Sequence, residues 1–193
     1  WKAMVADEAA RTTFAKNIKT VLEKNKLDGI DLDFEWAENE KEYKDYSLAI
    51  LKMREVLGDK YLFSVSLHPV CYKISKEAIE AVDFISLQCY GPSPVRFPIE
   101  KYCSDIQMVL EYGIPKEKLV AGVPFYGVTK DNSKKTEAYF NFVQNGLVTS
   151  PAQNEVIYQG DTYVFDGQDN IRIKTRYAKE QKLKGMMSWD LAT

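Results

Sequence analysis

DGIDLDFEW, residues 28–36, alternates acidic and apolar side chains with a period of two. Successive side chains of a strand point to opposite faces, so the segment reads as a strand over Ile30–Phe34, opened by Gly29. Asp31, Asp33 and Glu35 then share one face, and Ile30, Leu32 and Phe34 the other. The apolar face suits packing beneath helices. The acids face a cavity and climb towards the C-terminal end of the strand, the rim where parallel-barrel enzymes keep their chemistry. Neighbours on that face lie roughly 6.5–7 Å apart. Carboxylates so spaced and partly buried cannot all ionise cheaply. At least one is expected to hold a proton near neutral pH, as a general acid must. Two other readings compete. An exposed edge strand is disfavoured by the apolar opposite face, and a divalent-cation site by the lack of an acid cluster at any other strand end.

Working outward, residues 7–25 predict a helix with Phe14, Ile18, Val21 and Leu22 on one face. Asn39 followed by Glu42 resembles a capping box. The helix it opens carries Tyr43, Tyr46, Ile50, Leu51 and Met53 on one side and stops at Gly58. YLFSVSL (61–67) and VDFISLQCY (82–90) read as strands with a short helix between them. Pro98 suits a first helical turn, and the helix it begins ends near Gly113 and Pro115. KLVAGVPFYG (118–127) is a further strand. Residues 128–166 break the rhythm with a polar loop, a short helix near Glu137–Val143 and a hairpin in EVIYQGDTYVF, and read as a short insertion. A helix near 169–183 and a last strand, Gly185–Trp189, follow.

Strands alternating with helices predict an α/β fold with a parallel sheet and helical crossovers. Five strand–helix steps are too few to close a (β/α)8 barrel. The expected architecture over residues 1–193 is therefore an incomplete (β/α)8 TIM barrel, its missing N-terminal strands supplied by chain upstream of Trp1.

Composition narrows the partners. Twenty-six basic against 28 acidic residues leave a net charge of −2, with no electrostatic reason to expect nucleic acid or an anionic membrane. No apolar run approaches the roughly 20 residues that span a bilayer, and WKAMVADEAARTTF lacks the apolar core of a signal peptide. Cys71, Cys89 and Cys103 have no metal-ligand spacing and cannot all pair. Free, mostly buried thiols are expected, although a Cys71–Cys103 bridge is conceivable. The single histidine, His68, cannot build a His-rich metal site or a hydrolase triad, and no metal is expected. Twelve tyrosines suit a sugar site, where a ring stacks while its hydroxyl bonds, or simply core and surface.

DGIDLDFE matches the DGxDxDxE signature of family 18 glycoside hydrolases at every fixed position: Asp28, Gly29, Asp31, Asp33 and Glu35. LQCYG (87–91) resembles the family's sixth-strand motif, whose tyrosine, here Tyr90, contacts substrate. GVPFYG (122–127) resembles the seventh-strand Gly-x-Pro-x-Tyr-Gly with Tyr126, and GMMSWDL (185–191) the eighth-strand segment with Trp189. The resemblance runs over essentially the whole chain, as strands four to eight and the third helix. Chitinases often carry Met-x-Tyr-Asp on strand six; this chain has Gln88-Cys89-Tyr90-Gly91. The 128–166 insertion is also short beside that of deep-cleft members, which implies a shallower groove.

The resemblance implies a retaining hydrolase of β-1,4-linked N-acetylglucosamine: chitin, chito-oligosaccharides or the chitobiose core of N-glycans. In the family's substrate-assisted route the 2-acetamido carbonyl attacks, giving an oxazolinium intermediate, and no second enzyme carboxylate is the nucleophile. By that likeness Glu35 protonates the leaving oxygen, Asp33 holds the acetamido N–H, and Asp31 shares a proton with Asp33. Tyr90 aligns the acetamido oxygen, and Trp189 stacks beneath the −1 sugar. Tyr126, Gln88 and Trp36 are further substrate-binding candidates, with packing an equal role for Tyr126 and Trp36. No cofactor is implied. The location implied is secreted, periplasmic or cell-surface. The alternative is a non-catalytic glycan-binding lectin on the same scaffold. Family lectins typically lose the acid at the place of Glu35, so its presence favours the enzyme.

Overall fold

In the computed structural model, which describes residues 1–90, 98–131 and 135–190, the acid-bearing segment forms strand β1, Gly29–Asp33. Leu32 and Phe34 are buried while Asp31, Asp33 and Glu35 are exposed, the alternation expected from the sequence. Two helices precede it, α1 (Lys2–Ala6) and α2 (Glu8–Asn25). The expected helix over 7–25 thus has a short helical neighbour, separated from it by Asp7. That carboxylate accepts from Ala10 N at 2.7 Å and caps α2.

Helix α3 (Glu40–Leu57) starts from Asn39, whose side chain accepts from Glu42 N at 3.0 Å. The capping box is not reciprocal. Glu42 instead accepts from Glu38 N at 2.8 Å, one residue before the cap. There follow β2 (Leu62–Leu67), α4 (Lys76–Ala81), β3 (Phe84–Leu87), α5 (Ile99–Tyr112) and β4 (Leu119–Pro124). Helix α5 stops at Gly113, whose φ of 114° is open to glycine.

The stretch expected as one strand over 118–127 divides at Phe125. Its N–H donates to Trp189 O at 2.7 Å and its carbonyl accepts from Tyr139 N at 3.0 Å. Beyond it, β5 (Tyr126–Thr129) joins a different sheet with β6 (Thr136–Ala138), β7 (Glu155–Tyr158) and β8 (Asp161–Val164), in the order β6-β5-β8-β7. Helix α6 (Tyr139–Gln144) follows β6, and β7 and β8 make the expected hairpin. Phe142 is the centre of this small unit, fully buried against Tyr163 and Phe165. Helix α7 (Gln168–Glu180) and β9 (Gly185–Trp189) close the chain's order of elements.

The main sheet is parallel throughout, in the order β1-β2-β3-β4-β9. Its apolar side belongs to one core with the helices, in which Leu32, Phe34, Ile50, Met53, Phe63 and Val65 are all buried. Phe34 stands edge-on to Tyr46 at 4.9 Å, and the Tyr46 hydroxyl donates to Leu32 O at 3.0 Å. Burying one such aromatic is worth about 1.5–3 kcal/mol, so the apolar half of the alternation anchors β1 and sets which way its acids face. Elsewhere Lys174 of α7 is buried in an ion pair with Asp166 and lies over the Tyr102 ring of α5. Cys71 and Cys89 are buried, Cys103 half-buried, and all are free thiols. Among the described residues no helix is long and apolar enough to cross a membrane.

Candidate active site

The row of acids on β1 meets polar side chains from the next strands. Parallel pairing sets Asp31 opposite Ser64 and Asp33 opposite Ser66. Ser64 Oγ donates to Asp31 Oδ1 at 2.5 Å and Ser66 Oγ to Asp31 Oδ2 at 2.7 Å, so both carboxylate oxygens of Asp31 are held. Asp33 receives Gln88 Nε2 at 3.3 Å from beyond the end of β3. Asp33 keeps contact with solvent, yet partial desolvation pushes its carboxyl up to about 6; the neighbouring charges of Glu35 and then Asp31 add to the shift, and the Gln88 hydrogen bond opposes it. The sequence predicts that some member of the row holds a proton near neutral pH; the upward shift falls on the middle acid.

Tyr90 lies three residues past β3 and is buried. Its hydroxyl is 3.9 Å from Met187 Sδ. Burial raises that hydroxyl well above its ordinary value, with Tyr126, Asp33, Cys89 and Glu35 each adding, so it stays a protonated donor. A Cβ at Gly122 would come within 2.7 Å of Leu87 O and 2.9 Å of Tyr90 Cε1. Glycine there lets the Tyr90 ring lie against β4. Tyr126 stands edge-on to Tyr90, centroids 6.2 Å apart.

Trp189 ends β9 and is 56% exposed, which leaves its indole open to stack on a ligand. It lines a cleft of about 560 Å³ with Tyr126, Glu137, Asn141 and Asp190. The peptide bonds Glu35–Trp36 and Trp189–Asp190 are cis. Trp36, half-buried, sets its ring edge-on to His68 with centroids 4.5 Å apart. The structure therefore brings Gln88 to the acids at Asp33, sets Tyr90 against Tyr126 within electrostatic reach of Asp33 and Glu35, joins Trp189 to Tyr126 along one cleft, and packs Trp36 against His68. Gly91 and Leu191, the last residues of two quoted motifs, lie outside the described residues.

Sequence reasoning missed Ser64 and Ser66, the partners of Asp31. The signal was present: FSVSLH, residues 63–68, alternates apolar residues with Ser, Ser and His, the same period as the acid strand. It also missed Met187 and the Glu137–Asn141 wall, for which no local pattern exists. Among the described residues no group of three or more His, Cys, Asp or Glu is arranged to hold a metal ion.

A parallel sheet with helical crossovers, presenting acids, a buried tyrosine and an open tryptophan at the C-terminal ends of its strands, is part of a (β/α)8 barrel. Comparison with known proteins agrees. A chitinase of Flavobacterium johnsoniae from a chitin utilization locus superposes with a TM-score of 0.82 at 27% identity, over all of this chain and 63% of that one. A chitinase-like agglutinin from Robinia pseudoacacia shares the fold, with a TM-score of 0.80 at 20% identity over 98% of this chain and 70% of its own. "Probable chitinase 2" of Drosophila melanogaster is 27% identical across the whole chain and 53% of its own length. The model of the glycosyl hydrolases family 18 matches residues 1–193. The chain belongs to that family. It spans about half the length of the Drosophila relative and 38% of Chitinase A1 from Niallia circulans.

Proposed function

We propose that this chain carries the acid–base side of a retaining glycoside hydrolase acting on β-1,4-linked N-acetylglucosamine. The observation that carries this reading is the single row of acids. Glu35 lies past the end of β1 and adds its charge to Asp33, and both raise the Tyr90 hydroxyl. In this reading Glu35 gives its proton to the glycosidic oxygen as the C1–O bond breaks. The substrate's acetamido oxygen attacks C1 from the other face, forming the oxazolinium. Asp33 accepts a hydrogen bond from the acetamido N–H, and Asp31 tunes it from a position fixed by two serine hydroxyls. Tyr90 donates to the acetamido oxygen and aligns it. Trp189 floors the sugar, and Tyr126, Gln88 and Trp36 serve as further contacts. Water then opens the intermediate, with the carboxylate of Glu35 taking its proton, and configuration at C1 is retained.

The names of the relatives support chitin or chito-oligosaccharides, and the same chemistry fits the chitobiose core of N-glycans. Such substrates place the protein in the periplasm, at the cell surface or outside the cell. The scheme draws on no cofactor. The agglutinin on the same fold supports a second reading, a glycan-binding lectin. Reducing-end release from chitotetraose by the protein carrying this chain separates the two. Turnover with β-anomer product is expected, and Glu35→Gln should lower it by about 10²–10⁴-fold, the usual worth of a general acid. Tight binding without turnover in the unsubstituted protein is the lectin's result.

A further inference from the structure

The β1–β2 ladder ends at the Asp33–Ser66 pair. Glu35 is two residues beyond it, so the direction of its side chain must be set by something other than strand pairing. The turn after β2 lies against the two residues that follow Glu35. His68 follows Ser66 at the same spacing and is buried. Its ring meets the Trp36 indole edge-on, centroids 4.5 Å apart at 70°. The turn is closed by its own bridge, His68 N to Cys71 O at 3.3 Å and Cys71 N to His68 O at 2.7 Å. Cys71 Sγ then accepts from Ala37 N at 3.1 Å. Burial pushes the Cys71 thiol up, which keeps it a neutral sulfur acceptor. Tyr43 of α3 backs the turn, its hydroxyl 3.4 Å from Val70 O. Both residues that follow Glu35 are therefore gripped by residues 68–71.

We propose that this turn positions the general acid: His68, through Trp36, and Cys71, through Ala37, set where the Glu35 carboxyl sits. The proposal rests on the reading of Glu35 as the proton donor. Cys71 reaches only Ala37, so its loss acts on the chemical step and leaves binding nearly alone, whereas His68 acts through Trp36, itself a substrate contact in this scheme, so its loss also moves binding. Displacing a catalytic group by about 1 Å can cost about 10²-fold.

The test is steady-state kinetics on chitotetraose with the protein that carries this chain, alongside thermal melting. His68→Ala should lower kcat about 10- to 100-fold and raise KM as Trp36 is freed, while Cys71→Val should lower kcat with KM moving less than about threefold. His68→Phe keeps a flat ring against Trp36 and should recover kcat to within about threefold of the unsubstituted protein. Cys71→Ser, which keeps an acceptor for Ala37 N, should stay fast, and Cys71→Val, which does not, should be slow. If His68→Ala fails to fold, the Cys71 pair decides. Full kcat in His68→Ala or in Cys71→Val overturns the proposal, as does a His68→Phe protein as slow as His68→Ala. Glu35→Gln separates the two layers. Turnover in that variant removes the acid assignment itself, whereas an inactive Glu35→Gln beside a fast His68→Ala removes only the positioning role.

Discussion

Replacing Glu35 by Gln should lower the titration midpoint of Asp33. The Asp33 carboxyl is raised from 3.8 to about 6, by burial first and by the charge of Glu35 second. Same-face neighbours along a strand lie about 7 Å apart. Coulomb's law gives about 0.6 kcal/mol at that distance in water and about 2.4 kcal/mol at an effective dielectric near 20. At about 1.4 kcal/mol per unit, removing the charge is worth about 0.4–1.7 units. The acids border solvent, so the lower half of that range applies, and the midpoint should fall to about 5–5.5. Burial is untouched by the change, so the midpoint should not return to 3.8. Carbon-detected NMR of the Asp33 carboxyl reads it directly. Gln88→Ala supplies the opposite sign, because it removes a hydrogen bond that favours the ionised form. A midpoint that stays put or rises in Glu35→Gln would refute the shared electrostatics of the row.

Asp33→Asn should stabilise the fold in alkaline buffer. Its folded pKa of about 6 exceeds the 3.8 of the unfolded chain, so the stability it contributes is complete below about 3.8 and is lost as pH rises through about 6. Allowing for solvent screening, about 1 kcal/mol is at stake, so Tm should gain about 2–4 °C more near pH 7.5 than near pH 4. Gly122→Ala should cost about 1–3 kcal/mol in chemical denaturation and slow turnover as well, because the new methyl pushes on Leu87 O and the Tyr90 ring. Tyr46→Phe should lose about 1 kcal/mol in the same assay, leaving Leu32 O without its buried donor.

The strand carrying the acids was legible because its two faces had opposite chemistry. Leu32 and Phe34 had to be buried, and a period of two then left no choice for Asp31, Asp33 and Glu35. The parallel order of five strands was legible for a similar reason, since helices alternate with apolar runs too short to be anything else. The break at Phe125 was not. VPFYG has the composition of one strand, and what divides it is a long-range hydrogen bond to Trp189 O, sixty-odd residues away. Likewise Asp7 reads as an ordinary helical residue until its side chain is seen capping Ala10 N. The identity of the raised acid lay equally beyond the sequence. Three same-face carboxylates state the conflict, but the upward shift of Asp33 comes first from the loss of water around it, which only the packing of the chain sets.

Ser64, Ser66 and Gln88 divide the work among side chains of nearly one chemistry. Asp31 is braced on both oxygens by serine hydroxyls and has little freedom to turn. Asp33 accepts a long hydrogen bond from Gln88 and is raised first by partial loss of water around it, so its proton count answers to its surroundings. Because burial is the first cause of its shift, anything that lies over this face and excludes water raises it further. In the proposed reading a sugar on Trp189 does that, and its acetamido group brings a hydrogen-bond donor that favours the ionised form instead. In that reading the two effects oppose each other on a carboxyl already raised to about 6, so the proton on Asp33 answers to both.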